Sequence, residues 1–287
     1  MIWQTALIFY VFFGVLRGYF DKKLVTKVDP VVAFFYSAVW SLVAYLVIYF
    51  VTTGFFFPIL PEQLVLGVVY VFGIWAYLIA LQLSLSQTVV FCSYSILIPM
   101  ILSAAFLGEW QLFNPGTLGG LKNIFGIILA LLSMYLMIKS RSKREEKLEK
   151  KWFFLIIINI FSVGIANYLS KIYLASYGPV EAVISQSISG IPLIFIISLI
   201  TRKSLKLTKK THVLAATDGV VVGLSVIFFY AMLKAGAASV VLPIGMSALT
   251  IVSVLVGLFI FKETHLFTKE KLVGLFIGIL GIVLLIV

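Results

Sequence analysis

The stretch SVVLPIGMSALTIVSVLVGLFIFKET, Ser239 to Thr264, decides how the rest of the chain is read. From Ala235 to Phe261, 27 residues pass without an Asp, Glu, Lys, Arg or His, and Lys262 and Glu263 then stand side by side. An apolar run of about 20 residues is enough to cross a hydrocarbon core of about 30 Å. Earlier in the chain, TVVFCSYSILIPMILSAAFLGEW, Thr88 to Trp110, repeats the pattern: an apolar run with an internal proline and a glutamate at its end.

Working outward, the same kind of run recurs along the whole length. The chain is 62% hydrophobic and only 11% charged, whereas a soluble domain carries about a quarter charged residues. The runs do not alternate apolar and polar residues as barrel strands do. They predict an all-α integral membrane protein with ten transmembrane helices at roughly 3–20, 30–52, 63–84, 87–108, 119–138, 152–174, 180–201, 211–234, 239–261 and 270–287. The first 20 residues lack a basic n-region and a small-residue cleavage site, so they are expected to be a retained helix. Asp29–Pro30 and Gly178–Pro179 mark turns into the second and seventh spans, because proline presets φ for a first helical turn. Cys92 is the only cysteine, which excludes an intramolecular disulfide and leaves nothing to support a thiolate metal site.

The net charge of +11 is distributed by topology. With Arg17, the connections after odd-numbered spans hold 19 of the 22 Lys and Arg, leaving Lys122, Lys171 and Lys234 on the other side. The positive-inside rule therefore predicts a plasma-membrane protein with cytoplasmic odd-numbered loops and external termini. Nucleic acid is not an expected partner; a small-molecule substrate and membrane lipids are.

The echo extends beyond one span. At an offset of 149, Tyr19, Lys22, Pro30 and Thr52 fall on Tyr168, Lys171, Pro179 and Thr201. At 151, Ala80 and Thr88 fall on Ala231 and Ser239, and at 154 Glu109 meets Glu263. At 148, Gly126, Ala130 and Ser133 meet Gly274, Gly278 and Gly281. A unit of five spans is odd, so its second copy must insert upside down. The expected architecture is a 5+5 inverted-topology repeat around a central cavity, suited to alternating access. Its parts are residues 1–140, a basic cytoplasmic linker at 141–151, and residues 152–287.

With YLIALQLSLSQTVV (77–90) followed by Pro99 and Glu109, and FYAMLKAGAASVVLP (229–243) followed by Lys262–Glu263, the chain resembles the EamA-like domains of the drug/metabolite transporter superfamily. The resemblance covers nearly the whole chain. It implies a cavity lined by spans 1–4 and 6–9, with spans 5 and 10 peripheral, and a substrate among amino acids, sugar conjugates, purines and other small metabolites. It also implies cytoplasmic termini, against the charge bias. A monomer and a homodimer through the peripheral helices are both compatible with it.

Ionised groups are costly at mid-membrane, and the reading of each follows its distance from a span end. Arg17 is expected to snorkel to the interface, and Asp218 to be either a functional carboxylate or a helix-start acid near Lys209 and Lys210. Lys234 is expected at the interface, with substrate-anion binding as the alternative, Lys171 and Glu181 to pair beside the Gly178–Pro179 turn, and Glu109 and Glu263 to have structural roles at helix ends, with gating as the alternative. The expected substrate-contacting set is neutral: Trp75, Tyr77 and Gln82 in span 3, Ser93 and Tyr94 in span 4, and Asn159 and Asn167 in span 6. Gln186 and Ser187 in span 7, Tyr230 in span 8, and Met246 and Ser247 in span 9 complete it. Each of these could equally serve helix packing. Pro99 and Pro243 are candidate hinges, since each removes a helix hydrogen bond.

His212 and His265 are isolated at span edges, and no paired carboxylates, phosphate loop or metal-ligand spacing appears. The sequence therefore predicts a secondary transporter of a small organic metabolite, by facilitated transport, exchange or export, with no catalytic residue, metal or cofactor. The alternatives are a lipid flippase or a non-transporting scaffold, and last a membrane-embedded enzyme.

Overall fold

Helices occupy each of the ten windows in a computed structural model of the chain, which describes residues 2–54, 56–82, 85–139, 149–262 and 269–286. In chain order they are α1 (Trp3–Val25), α2 (Pro30–Thr52), α3 (Pro61–Leu81), α4 (Leu85–Cys92), α5 (Leu97–Phe106) and α6 (Leu118–Lys139). Then come α7 (Glu149–Tyr173), α8 (Pro179–Ile200), α9 (Lys209–Ala235), α10 (Ala238–Phe259) and α11 (Lys269–Ile286). Six of them, α2, α3, α7, α8, α9 and α10, are long and apolar enough to cross a membrane among the described residues. Basic and acidic residues late in α1 dilute its apolar character, although it runs 23 residues.

Local chemistry sets the helix starts. The Asp29 carboxylate accepts the Val31 N–H at 3.0 Å and Pro30 occupies the first turn, so α2 begins abruptly. Pro61 and Pro179 open α3 and α8 in the same manner. Thr208 caps α9 by accepting the Thr211 N–H at 3.3 Å. The fourth window is broken: a 3₁₀ turn at Ser93–Ile96 separates α4 from α5, one turn before Pro99. Pro99 has no N–H to give the Ser95 carbonyl, and a Cβ on Gly164 of α7 would stand 2.8 Å from that oxygen. Pro243, at the matching place in the ninth window, leaves α10 continuous.

The packing pairs elements across the two halves. Helix α1 packs on α9 as α7 packs on α3, and α2 packs on α8 and α9 while α3 also packs on α8. The broken α4–α5 segment meets α10, and α6 packs on α11. Helices α6 and α11 turn Phe125, Ile128, Phe276 and Leu280 outward, more than half exposed, as lipid-facing surfaces require. Two glycines permit the closest crossings. A Cβ on Gly67 would stand 2.2 Å from the Gln186 carbonyl oxygen, and one on Gly219 would stand 2.5 Å from that of Ser37. Ser41 Oγ donates to Gly219 O at 2.7 Å across the second crossing.

The Lys22 and Lys171 side chains occupy corresponding places. Lys22 Nζ donates to Leu81 O at 2.9 Å and Gln82 O at 3.2 Å, at the C-terminal end of α3. Lys171 Nζ donates to Leu233 O at 2.8 Å and Gly236 O at 2.6 Å, at the C-terminal end of α9. Each ammonium neutralises carbonyls that a helix end leaves unpaired. Glu109 accepts the N–H groups of Ala238 and Ser239 at 3.0 and 2.8 Å, capping the start of α10. Its role is structural, as the sequence suggested; Glu263 lies outside the described residues.

Candidate functional site

Between the two halves lies a cavity of about 250 Å³, lined by α1–α4 and the adjoining Ser93–Ile96 turn from one half and α7–α10 from the other. Of the sequence-selected residues, Tyr77, Asn159, Asn167, Gln186, Ser187 and Tyr230 line it, together with Met246. Asn159 Nδ2 is tied to Gly73 O at 2.9 Å and Ser187 Oγ to Val183 O at 2.8 Å. Met246 Sδ accepts from Tyr10 OH at 3.0 Å.

The other five stand elsewhere. Gln82 is exposed and braces the α1 end by donating to Val25 O at 3.0 Å. Ser93 is buried and bonded to Val89 O and to the Thr250 hydroxyl, which ties α10 to the turn after α4. Trp75 packs with the cluster around Leu78 and Ile194, and Tyr94 with the cluster around Ile244 and Val254. Neither Trp75 Nε1 nor Ser247 Oγ finds a hydrogen-bond partner among the described residues. Pattern alone did not separate these from the lining set, because a polar residue at mid-span can face a neighbouring helix as readily as the cavity.

One end of the cavity is neutral and polar. Gln186 Nε2 donates to Gln63 Oε1 at 2.6 Å and to Tyr230 OH at 2.8 Å. Tyr230 OH donates to Tyr70 OH at 3.0 Å, and Tyr70 OH to Asn167 Oδ1 at 2.6 Å. The chain joins α8, α3, α9 and α7. It sits near the start of α3 and the second turn of α8. Buried polar groups so linked fix the relative positions of four helices.

The other end is charged, and here one sequence expectation is corrected and one of two alternatives is removed. Arg17 does not snorkel to the interface: it lines the cavity, with its side chain 25% exposed. Its Nε donates to Asp21 Oδ2 at 3.3 Å, and its guanidinium stands 5.9 Å from the centre of the Tyr77 ring. The physical reason is that α1 continues to Val25, so Arg17 lies two turns from the helix end. Asp218 is not an exposed helix-start acid, because α9 begins at Lys209 and Asp218 is fully buried against α2. Its Oδ2 accepts from Ser37 Oγ, and its Oδ1 has no partner. Asp21 and Asp218 lie behind Arg17 and do not line the cavity. The Arg17–Asp21 spacing of four, which puts both side chains on one helix face, was the available signal. Lys171 and Glu181 do not pair with each other: Lys171 holds the α9 end, and Glu181 accepts the Gly178 N–H. Lys234 Nζ donates to Tyr177 O at 2.7 Å, in an exposed position.

Long apolar helices around an internal cavity define the chain as a multi-pass integral membrane protein. Comparison with protein families matches residues 150–287 to the EamA-like transporter family. The family consists of membrane transporters of small solutes. No curated protein matches the chain. Among solved structures, a protein crystal structure is similar with a TM-score of 0.69 at 13% identity, over 98% of this chain and 96% of the other. At that identity the likeness shows the fold alone, and it spans both halves.

Proposed function

We propose that the chain is a secondary transporter that carries a small organic solute by alternating access between two five-helix units of opposite orientation. The observation that carries this reading is the cavity between the halves, with polar and charged side chains inside an otherwise apolar bundle. The pairing of α1 with α9 and of α7 with α3, and the matched Lys22 and Lys171 caps, support the inverted repeat. The break before Pro99 and the proline within α10 supply candidate hinges on facing segments. At about 250 Å³ the cavity is below the roughly 300–1,000 Å³ of pockets for drug-sized ligands, which favours a small metabolite over a lipid.

The test is counterflow in proteoliposomes containing the purified full chain, across a panel of amino acids and small metabolites. The expected outcome is saturable, protein-dependent uptake of a narrow group of solutes. Lipid scrambling without any solute uptake would point instead to a flippase and would overturn the proposal.

A further inference from the structure

We infer that Arg17 is the anion-recognition residue of the cavity and that the solute carried is a small organic anion, with a carboxylate or a phosphate as its charged group. The inference rests on the transport reading above and names the substrate class of that same site.

Arg17 is the one ionised side chain that lines the cavity among the described residues. Among the described residues only its Nε is engaged, at 3.3 Å from Asp21, and neither Nη atom donates to any of them. A guanidinium held by one edge and open at the other is pre-set for a planar, two-point contact with a carboxylate or phosphate. Asp21 steers the fork from behind, and the Tyr77 ring supports it from the side.

The repeat separates this charge from the scaffold. Lys22 and Lys171 are kept at corresponding positions and do the same structural work on α3 and α9. At the offset of 149 that aligns them, Arg17 falls on Ala166 and Asp21 on Ser170. The Gly67 and Gly219 crossings also correspond, since Ser37 falls on Gln186, and Asp218 then falls on Leu66. Each of these three ionisable residues has an uncharged counterpart in the other unit, so the shared scaffold does not require them, and an ionisable group inside a membrane bundle that the scaffold does not require is a candidate for function. Among the described residues, Asn159 Oδ1 and Asn167 Nδ2 on the cavity wall make no bond within the protein and are open to a hydroxyl or amino group on the solute.

The experiment uses the purified full chain with matched pairs of probes: lactate and lactamide, benzoate and benzamide, glycerol phosphate and glycerol. Thermal stabilisation is measured for wild type, Arg17→Gln and Arg17→Lys, and counterflow of the labelled acids is measured in proteoliposomes. The expected result is that at least one acid stabilises the wild type about tenfold or more better than its neutral partner, the range for a charge-assisted contact. Arg17→Gln abolishes that preference, and Arg17→Lys restores part of it. The carboxylate and phosphate arms distinguish the two anion types. Where Arg17→Gln does not purify as a folded protein, an arginine-specific dicarbonyl reagent on wild type replaces it; anions are expected to protect against inactivation and the amides are not. Equal response to acid and neutral partner, or an acid preference that survives Arg17→Gln, overturns the assignment. The binding arm stands apart from transport: acid-selective binding through Arg17 without counterflow supports the anion site while overturning the transporter reading.

Discussion

Asp218 shows how a single side chain can be costly and still be kept. Its carboxyl is fully buried, with Ser37 Oγ on one oxygen and nothing on the other. Removing the Ser37 hydroxyl leaves both oxygens without a donor, and Ser37→Ala should cost about 1–3 kcal/mol, read as a lowered Tm in detergent. Asp218→Asn keeps the shape and an acceptor for the Ser37 hydroxyl, so its effect should be smaller. The Ser37→Ala/Asp218→Leu double variant should lose less than the two single effects combined, because each removes the other's unsatisfied partner. Strict additivity in that cycle would mean the two groups are not coupled. Residues of this kind were the least legible in the sequence. Ending the first span at residue 20 put Arg17 at an interface, and five further helical residues move it into the cavity.

At the scale of helices, two kinds of contact hold the cavity walls together. Helix ends are fixed by charge: Lys171 covers carbonyls at the end of α9, and Glu109 covers N–H groups at the start of α10. Glu109→Gln keeps a hydrogen-bond acceptor and loses the favourable interaction with the helix N-terminus; a loss of about 0.3–1 kcal/mol is expected by thermal unfolding. Glu109→Ala should cost more, about 0.5–2 kcal/mol, because the two N–H groups lose their partner. Crossings are fixed by the absence of a side chain. Gly67→Ala and Gly219→Ala each drive a methyl group into backbone of the facing helix and should destabilise by about 1–3 kcal/mol. Gly119 of α6 has nothing within 4 Å of its added Cβ, so Gly119→Ala should be neutral or slightly stabilising. Equal losses at all three sites would show that helix propensity, not crossing distance, governs them. Helix existence was plain from the apolar runs and proline punctuation. The break at Ser93–Ile96 was not, since a proline signals a lost hydrogen bond and leaves open where the helix yields.

Over the whole molecule, the pairing of helices depends on sequence periodicity, whereas orientation depends on charge, and the two can be tested separately. The pairings of α1 with α9 and of α7 with α3 need no membrane to specify them. Orientation does, and the basic bias of the odd-numbered loops and the implication of the family resemblance oppose each other. Ser204, between α8 and α9, and Thr53, just after α2, are exposed at connections of opposite parity. Cys92 is buried, and its replacement by alanine leaves a background in which a single introduced cysteine reports its own position. With Ser204→Cys, a membrane-impermeant maleimide should react only after the cells are permeabilised. With Thr53→Cys it should react in intact cells. The reverse pattern would place both termini in the cytoplasm and turn the Arg17 end of the cavity outward, while leaving every helix pair unchanged. Orientation therefore decides which aqueous compartment the anion site faces, and it bears on the direction of transport without bearing on the recognition chemistry.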